Sequence, residues 1–383
     1  MPNPLSVCLR WLCVALACSL AGTAMAQTPP LPKVLSVTEL GTVQQNAVIT
    51  GRDGTFSAPY GGASYWSFGD TAMRRANASG ANFIANTLSR ATSLQAAPGI
   101  VLDQDYLDSS KTPAAFIPLT DAEQAYNTAH ATLPGGGCAQ TPCGSSIAVW
   151  GEQVVPDPAR HRLLFFFNEI SRIPGNANFT VLGAGVAIGT PGADGLAVTR
   201  PDAGAAGAAN TALLWNAPDF PYANGGLVVG NMVYAYGQNP QGLVMNVPLA
   251  RAPLAQADQH AAWQYYAGNG GWSSDPAAAV TVLQGGAAGN AVFWNAYLGA
   301  YMAVYSAPFS NKVYCRVASQ PWGPWSAALL LFSGQPGQSG TVDYAALAHP
   351  EFATGNGQTQ YITYVRTTGF LKMEIRQVQV VFQ

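Results

Sequence analysis

Short runs of β-branched and aromatic residues recur along this chain between clusters of Gly, Pro, Asn and Asp, and long helical periodicity is almost absent. Such punctuation builds hairpins of strands rather than packed helices. The runs fall at residues 63–68, 146–151, 162–168, 181–188, 212–216, 226–237, 291–294, 300–306, 312–317 and 360–366, with 371–382 closing the chain. They gather near 35–90, 145–200, 210–260, 280–330 and 340–383, and each group approximates the four-strand unit of a propeller blade. No Pro/Gly/Ser linker divides the chain into separate cores. The expectation is an all-β, five-bladed β-propeller over residues 27–383, with an insertion at about 91–144 after the first blade. Residues 121–131 read as one or two helical turns inside that insertion, and the Gly/Ala-rich segment 185–210 reads as a long loop whose start is alternatively the last part of the second blade.

Charge narrows the partners. The 383 residues include 17 Lys+Arg and 19 Asp+Glu, so 9 % are charged, against about 25 % in an average globular domain. A net charge of −2 without a basic cluster leaves no electrostatic footprint for nucleic acid. A neutral, hydroxyl-rich ligand suits such a surface better, and in so acid-poor a chain each carboxylate stands out.

The first 26 residues read as an export signal. Arg10 is the positive flank, 11–21 the apolar stretch and Ala24-Met25-Ala26 the small-x-small cleavage site. The apolar run is too short for a spanning helix, so no membrane insertion is expected after cleavage and the protein is expected to be secreted or periplasmic; a monomer is also expected. Lipidation at Cys18 is the alternative. In an oxidising compartment, Cys138 and Cys143 in their Gly-rich loop read as a local disulfide, and Cys315 as a buried strand residue.

No G-x-S-x-G elbow, P-loop, H-E-x-x-H or EF-hand loop occurs in the sequence. The informative segment is Gly51-Arg52-Asp53-Gly54-Thr55-Phe56-Ser57, followed by Gly61-Gly62-Ala63-Ser64-Tyr65-Trp66-Ser67-Phe68-Gly69-Asp70-Thr71. If the two stretches pair as a hairpin, Asp53 and Asp70 emerge at the same end of one blade. Each Asp taken alone reads as a turn former or a cap. Paired among glycines and aromatics, they match what glycoside hydrolysis needs: one acid to protonate the leaving oxygen, and one carboxylate to act as nucleophile or to activate water.

The double-Asp pattern resembles a secreted bacterial family first catalogued as a domain of unknown function and later linked to endo-D-arabinanases with a five-bladed propeller. Trp263-Gln264-Tyr265-Tyr266, residues 290–306, Gly323-Pro324-Trp325-Ser326 and His349-Pro350-Glu351 resemble that family as well. The resemblance implies cleavage of arabinofuranosyl linkages, with Asp53 and Asp70 as the catalytic carboxylates.

Further residues read as substrate contacts: Arg52, Trp66, Glu152, Asp219, His349 and Glu351. Arg52 reads either as orienting a carboxylate through a bidentate contact or as lining the wall, Glu152 either as a third acid or as an exposed strand residue, and Trp66 either as a sugar contact or as a blade-packing residue. No cofactor or catalytic metal is expected. The rival reading is a non-catalytic glycan-binding propeller in which the acids bind sugar hydroxyls or hold a structural Ca²⁺.

Overall fold

Gly61 and Gly62, both at positive φ (59° and 82°), fold strand Phe56–Tyr60 tightly back onto Ala63–Phe68, a turn that two left-handed residues make without steric cost. The computed structural model describes residues 28–175, 179–193, 195–205, 210–241, 244–286 and 288–383. The expected export signal and Cys18 lie outside the described residues.

The hairpin belongs to the first of five larger antiparallel sheets that follow one another in chain order among the described residues. This sheet is completed by Thr87–Ala91 and Gln104–Asp105. The second sheet comprises Ser146–Asp157, Arg162–Arg172, Phe179–Gly192 and Gly195–Thr199, with Trp215–Asn216 beside the third of these. The third is built on Gly226–Val229, Met232–Tyr236, Val244–Pro253 and Gln264–Gly268. The fourth contains Ala291–Asn295, Ala300–Ser306, Lys312–Ala318 and Leu329–Ser333. The fifth runs Tyr344–Ala348, Thr359–Gly369, Lys372–Phe382 and then Val34–Thr42, so the two ends of the described chain share one sheet. A small sheet of Ile49–Arg52, Thr71–Met73 and Phe83–Ile84 extends the first hairpin.

The first strands of successive sheets touch one another, and Thr363 Oγ1 in the fifth sheet donates to Thr55 Oγ1 beside the first at 2.8 Å. Apolar side chains fill the space between neighbouring sheets: Leu163, Phe165 and Phe167 pack with Tyr65 and Leu88, and Met302, Val304 and Val317 with Ile362 and Val380. Trp66 and Phe68 of the first sheet pack with Tyr361 and Ile375 of the fifth. Each full burial of such a side chain contributes about 1.5–3 kcal/mol, and side chains facing both neighbours explain the near-continuous apolar reading of the inner strands.

Three sequence boundaries move. Residues 34–42 leave the first group and close the last sheet, and Gln104–Asp105 brings the start of the expected insertion into the first sheet. The expected loop at 185–210 begins as regular strand through Gly192. Its glycines record close packing: a Cβ at Gly185 would lie 2.5 Å from the Phe167 ring, and one at Gly189 2.5 Å from the Phe165 ring. The helix is Asp121–His130, begun by a reciprocal capping box between Thr120 and Glu123. Cys138 and Cys143 form a disulfide, and Cys315 is buried. Among the described residues no helix is long and apolar enough to cross a membrane.

Candidate active site

Asp53 and Asp70 sit just beyond the paired residues Arg52 and Thr71. Their backbones stay joined: the Asp53 N–H donates to the Asp70 carbonyl at 3.2 Å, and the Gly69 N–H to the Asp53 carbonyl at 2.9 Å. Both acids thus emerge at the open end of one hairpin, opposite the Gly61-Gly62 turn. The flanking glycines are needed here. Gly54 holds φ +68°, and a Cβ on Gly69 would stand 2.8 Å from Asp53 Oδ1, where the carboxyl folds back across the strand.

Each acid meets residues that the hairpin does not supply. Trp150 Nε1 donates to Asp70 Oδ1 at 2.8 Å, and Arg172 Nη2 donates to the same oxygen. Arg172 is held in turn over the rings of Phe83 and Trp150. Tyr344, the first strand residue of the fifth sheet, donates from its hydroxyl to Asp53 Oδ2 at 3.2 Å. Glu152 comes from the second sheet at a bulge where 165 pairs with 154 and 167 with 151, a break in alternation that re-aims side chains. Asn168 Nδ2 donates to Glu152 Oε1 at 3.0 Å.

Asp53, Glu152, Trp150, Asn168 and Tyr344 line a cavity of about 250 Å³. Asp70 is not on its wall; its side chain, 20 % exposed, meets the cavity through its neighbours Gly69 and Trp150. Burial, then the charge of Asp70, pushes the Asp53 carboxyl up to about 7, against weaker opposing pulls from Tyr344, the Asp70 backbone and Arg172. Burial also raises Asp70, with Arg172 and the Trp150 hydrogen bond drawing it back. Glu152 is pushed well above the carboxylate range by burial, against the Asn168 hydrogen bond and with the charge of Asp53 adding to the rise. The site therefore combines an anchored carboxylate with acids that retain protons toward neutral pH, the separation of roles that acid–base chemistry uses.

Of the other sequence candidates, only Glu152 joins this cavity. Arg52 is fully buried, donating to Gln45 Oε1 (2.8 Å) and Ser89 Oγ (2.9 Å) with its guanidinium 3.6 Å from the Phe68 ring centre. It orients neither Asp53 nor Asp70, because adjacent strand residues face opposite ways. Trp66 and His349 are fully buried and stacked 4.1 Å apart, so no sugar reaches them. His349 Nδ1 is 2.6 Å from Ser57 Oγ, and burial lowers its pKa to about 3. Glu351 accepts from Ser57 and Ser64, both at 2.6 Å, and lines a separate cavity of about 220 Å³. Phe56 lines both cavities. These residues tie the fifth sheet to the first. Asp219 follows a turn closed on the Asn216 carbonyl and feels the charges of His260 and Asp275; it does not line the Asp53 cavity. Among the described residues no group of three His, Cys, Asp or Glu is placed to hold a metal ion.

Arg172, Asn168 and Tyr344 escaped sequence reasoning. The usable signal was parity: Asn168 lies opposite Trp150 in the register, and Arg172, four residues along the same strand, keeps that face.

A family profile described as a domain of unknown function, DUF4185, matches residues 205–370 and so leaves the Asp53–Asp70 hairpin outside the matched region. No curated protein matches the sequence. A Bacteroides ovatus crystal structure, provisionally named a hydrolase, is similar at 15 % identity and a TM-score of 0.55, over 88 % of this chain and 86 % of that one; the likeness is one of fold. The catalytic domain of a Coprinopsis cinerea GH62 alpha-L-arabinofuranosidase reaches 11 % identity and a TM-score of 0.43, over 92 % and 98 % of the two chains. An endo-arabinase from Bacteroides thetaiotaomicron reaches 12 % and 0.41, over 90 % and 98 %. The last two similarities are too distant to bear on site or substrate.

Proposed function

We propose that this chain is an exported, monomeric glycoside hydrolase, a closed five-bladed β-propeller that cleaves arabinofuranose-containing polysaccharide in the manner of an endo-D-arabinanase. The observation that carries the reading is the asymmetry of the hairpin acids. Asp53 faces the cavity and holds its proton up to about pH 7, while Asp70 is anchored by Arg172 and Trp150. Asp53 then protonates the glycosidic oxygen as the bond breaks. Asp70 attacks the anomeric carbon or deprotonates the attacking water. A carboxyl separation of about 5–5.5 Å in the substrate complex corresponds to retention, and about 6.5–9.5 Å to inversion. Glu152, still protonated, donates to a sugar hydroxyl.

The five sheets, whose first strands touch in succession from the first sheet to the fifth, and the Val34–Thr42 strand joined to the C-terminal one, support the propeller. The sparse charge and the resemblance in the double-Asp motif support the substrate class. The test is reducing-end release from arabinan and arabinogalactan panels by the wild type, Asp53→Asn and Asp70→Asn. Full activity in either variant removes that residue from the pair. Binding without cleavage by the wild type replaces hydrolysis with simple glycan recognition.

A further inference from the structure

A third cavity, of about 630 Å³, opens between the outer strands of the first and second sheets. Its wall includes Tyr60, Tyr65 and Tyr106, with Arg90, Asp105 and Gln104 among them. Tyr65 and Arg90 are cross-strand partners, and the Arg90 guanidinium carbon sits 4.8 Å from the Tyr65 ring centre. Tyr60 meets Tyr65 edge-on, with centroids 6.2 Å apart. Arg90 Nε is buried without a hydrogen-bond partner. Asp103, whose charge it feels, is itself bonded to the backbone and hydroxyl of Thr92.

Asp105, by contrast, is fixed in place. Ser89 and Asn46 donate to its two oxygens, and buried Arg52 donates to Ser89, so the residue expected to orient a catalytic acid steadies this one. Gly61, Gly192 and Gly195 also border the cavity and let a ligand approach the backbone. An arginine fork with an unmet donor, a rigid carboxylate and amphipathic tyrosine rings form a concave surface in which polar and apolar groups are evenly mixed. The opposite charges of Arg90 and Asp105 in one cleft suit a neutral ligand with adjacent hydroxyls: one hydroxyl oxygen accepts from Arg90 while a neighbouring O–H donates to Asp105.

We propose that this cleft is a second, non-catalytic binding site for a neutral oligosaccharide stretch, at the Gly61-Gly62 end of the hairpin whose other end carries Asp53 and Asp70. That the stretch belongs to the substrate polymer rests on the function proposed above. Retention of soluble arabinan, arabinogalactan and polygalacturonate is measured by affinity gel electrophoresis in an Asp70→Asn background, with Arg90→Ala and Tyr106→Phe added separately. Tyr106→Phe keeps the ring and isolates the hydroxyl. The cleft predicts about a tenfold weaker retention of a neutral polymer with Arg90→Ala and a smaller loss with Tyr106→Phe. Unchanged retention in both variants, or retention of polygalacturonate alone, overturns it. Retention that depends on Arg90, in a protein whose wild type cleaves no polymer, upholds the cleft and overturns only the hydrolase reading.

Discussion

Two clusters of buried acids flank the strand Arg162–Arg172, and they differ in what their oxygens have left to do. On one side, Arg200 donates to both Glu123 and Glu169, Asn210 Nδ2 donates to both, and the Thr120 N–H adds a bond to Glu123. Burial alone would raise Glu123, but hydrogen bonds from Glu169 and Arg200 hold it below the ordinary range. Burial and the adjoining Glu123 push Glu169 upward. One proton and one guanidinium satisfy the pair, and the result is a clamp between the insertion helix and the second sheet. On the other side, Asp53 has Tyr344 and a backbone contact for partners, and faces a cavity. Both clusters border a cavity, of about 830 Å³ at the Glu123–Glu169 pair and about 250 Å³ at Asp53; what differs is the number of donors, which saturate the first pair and leave Asp53 with fewer partners.

The contrast breaks most sharply on activity. Asp53→Asn and Asp70→Asn should each lower reducing-end release from arabinan by about 10²–10⁴-fold, the usual span of acid–base assistance, while Glu169→Gln stays within about twofold of wild type. A comparable loss in Glu169→Gln would erase the distinction. Stability should sort the other way. Arg200→Ala leaves two buried acids without their cation, a change that costs about 3–5 kcal/mol, and thermal unfolding should show a drop of roughly 2–4 °C for each kcal/mol.

Smaller effects follow from Asp53. Its folded pKa of about 7 lies above the ordinary 3.8, so the native state binds the extra proton between those values and stability falls as pH rises through that window. Asp53→Asn removes that penalty. The variant should melt several degrees above wild type at pH 8 and within about 1 °C of it at pH 4, as scanning calorimetry at the two pH values would show; equal differences at both would refute the raised pKa. Wild-type kcat/KM should decline above about pH 7 as the acid loses its proton. The least change is expected from Tyr344→Phe. Its hydroxyl favours ionised Asp53, so losing it raises the Asp53 pKa and moves that alkaline limb to higher pH; a pH–rate profile with an unmoved or lowered limb would exclude this role.

Much of the architecture was legible because it is local. Alternation and Gly-rich turns announce strands wherever they occur, and the Gly61-Gly62 turn alone brings Asp53 opposite Asp70. The assignments that failed depended on which face of a strand meets another sheet. Trp66 stands among the expected substrate contacts, yet it is stacked on His349 from the far end of the chain. Glu351 beside His349 looked like part of one mouth and lines another cavity.

Sequence by itself determined an all-β chain, a short helix, the scarcity of charge and the cross-strand pairing of two acids, since each depends on residues within a few positions of one another or on the chain as a whole. Tertiary structure alone decided which acid is anchored, which faces a cavity, and that Arg52 steadies Asp105 rather than either catalytic candidate. The partners involved come from 80, 102 and 291 positions away, as Trp150 and Arg172 do for Asp70 and Tyr344 for Asp53. Backbone alternation sets the face on which a side chain stands, but the packing of one sheet against the next sets what it meets there.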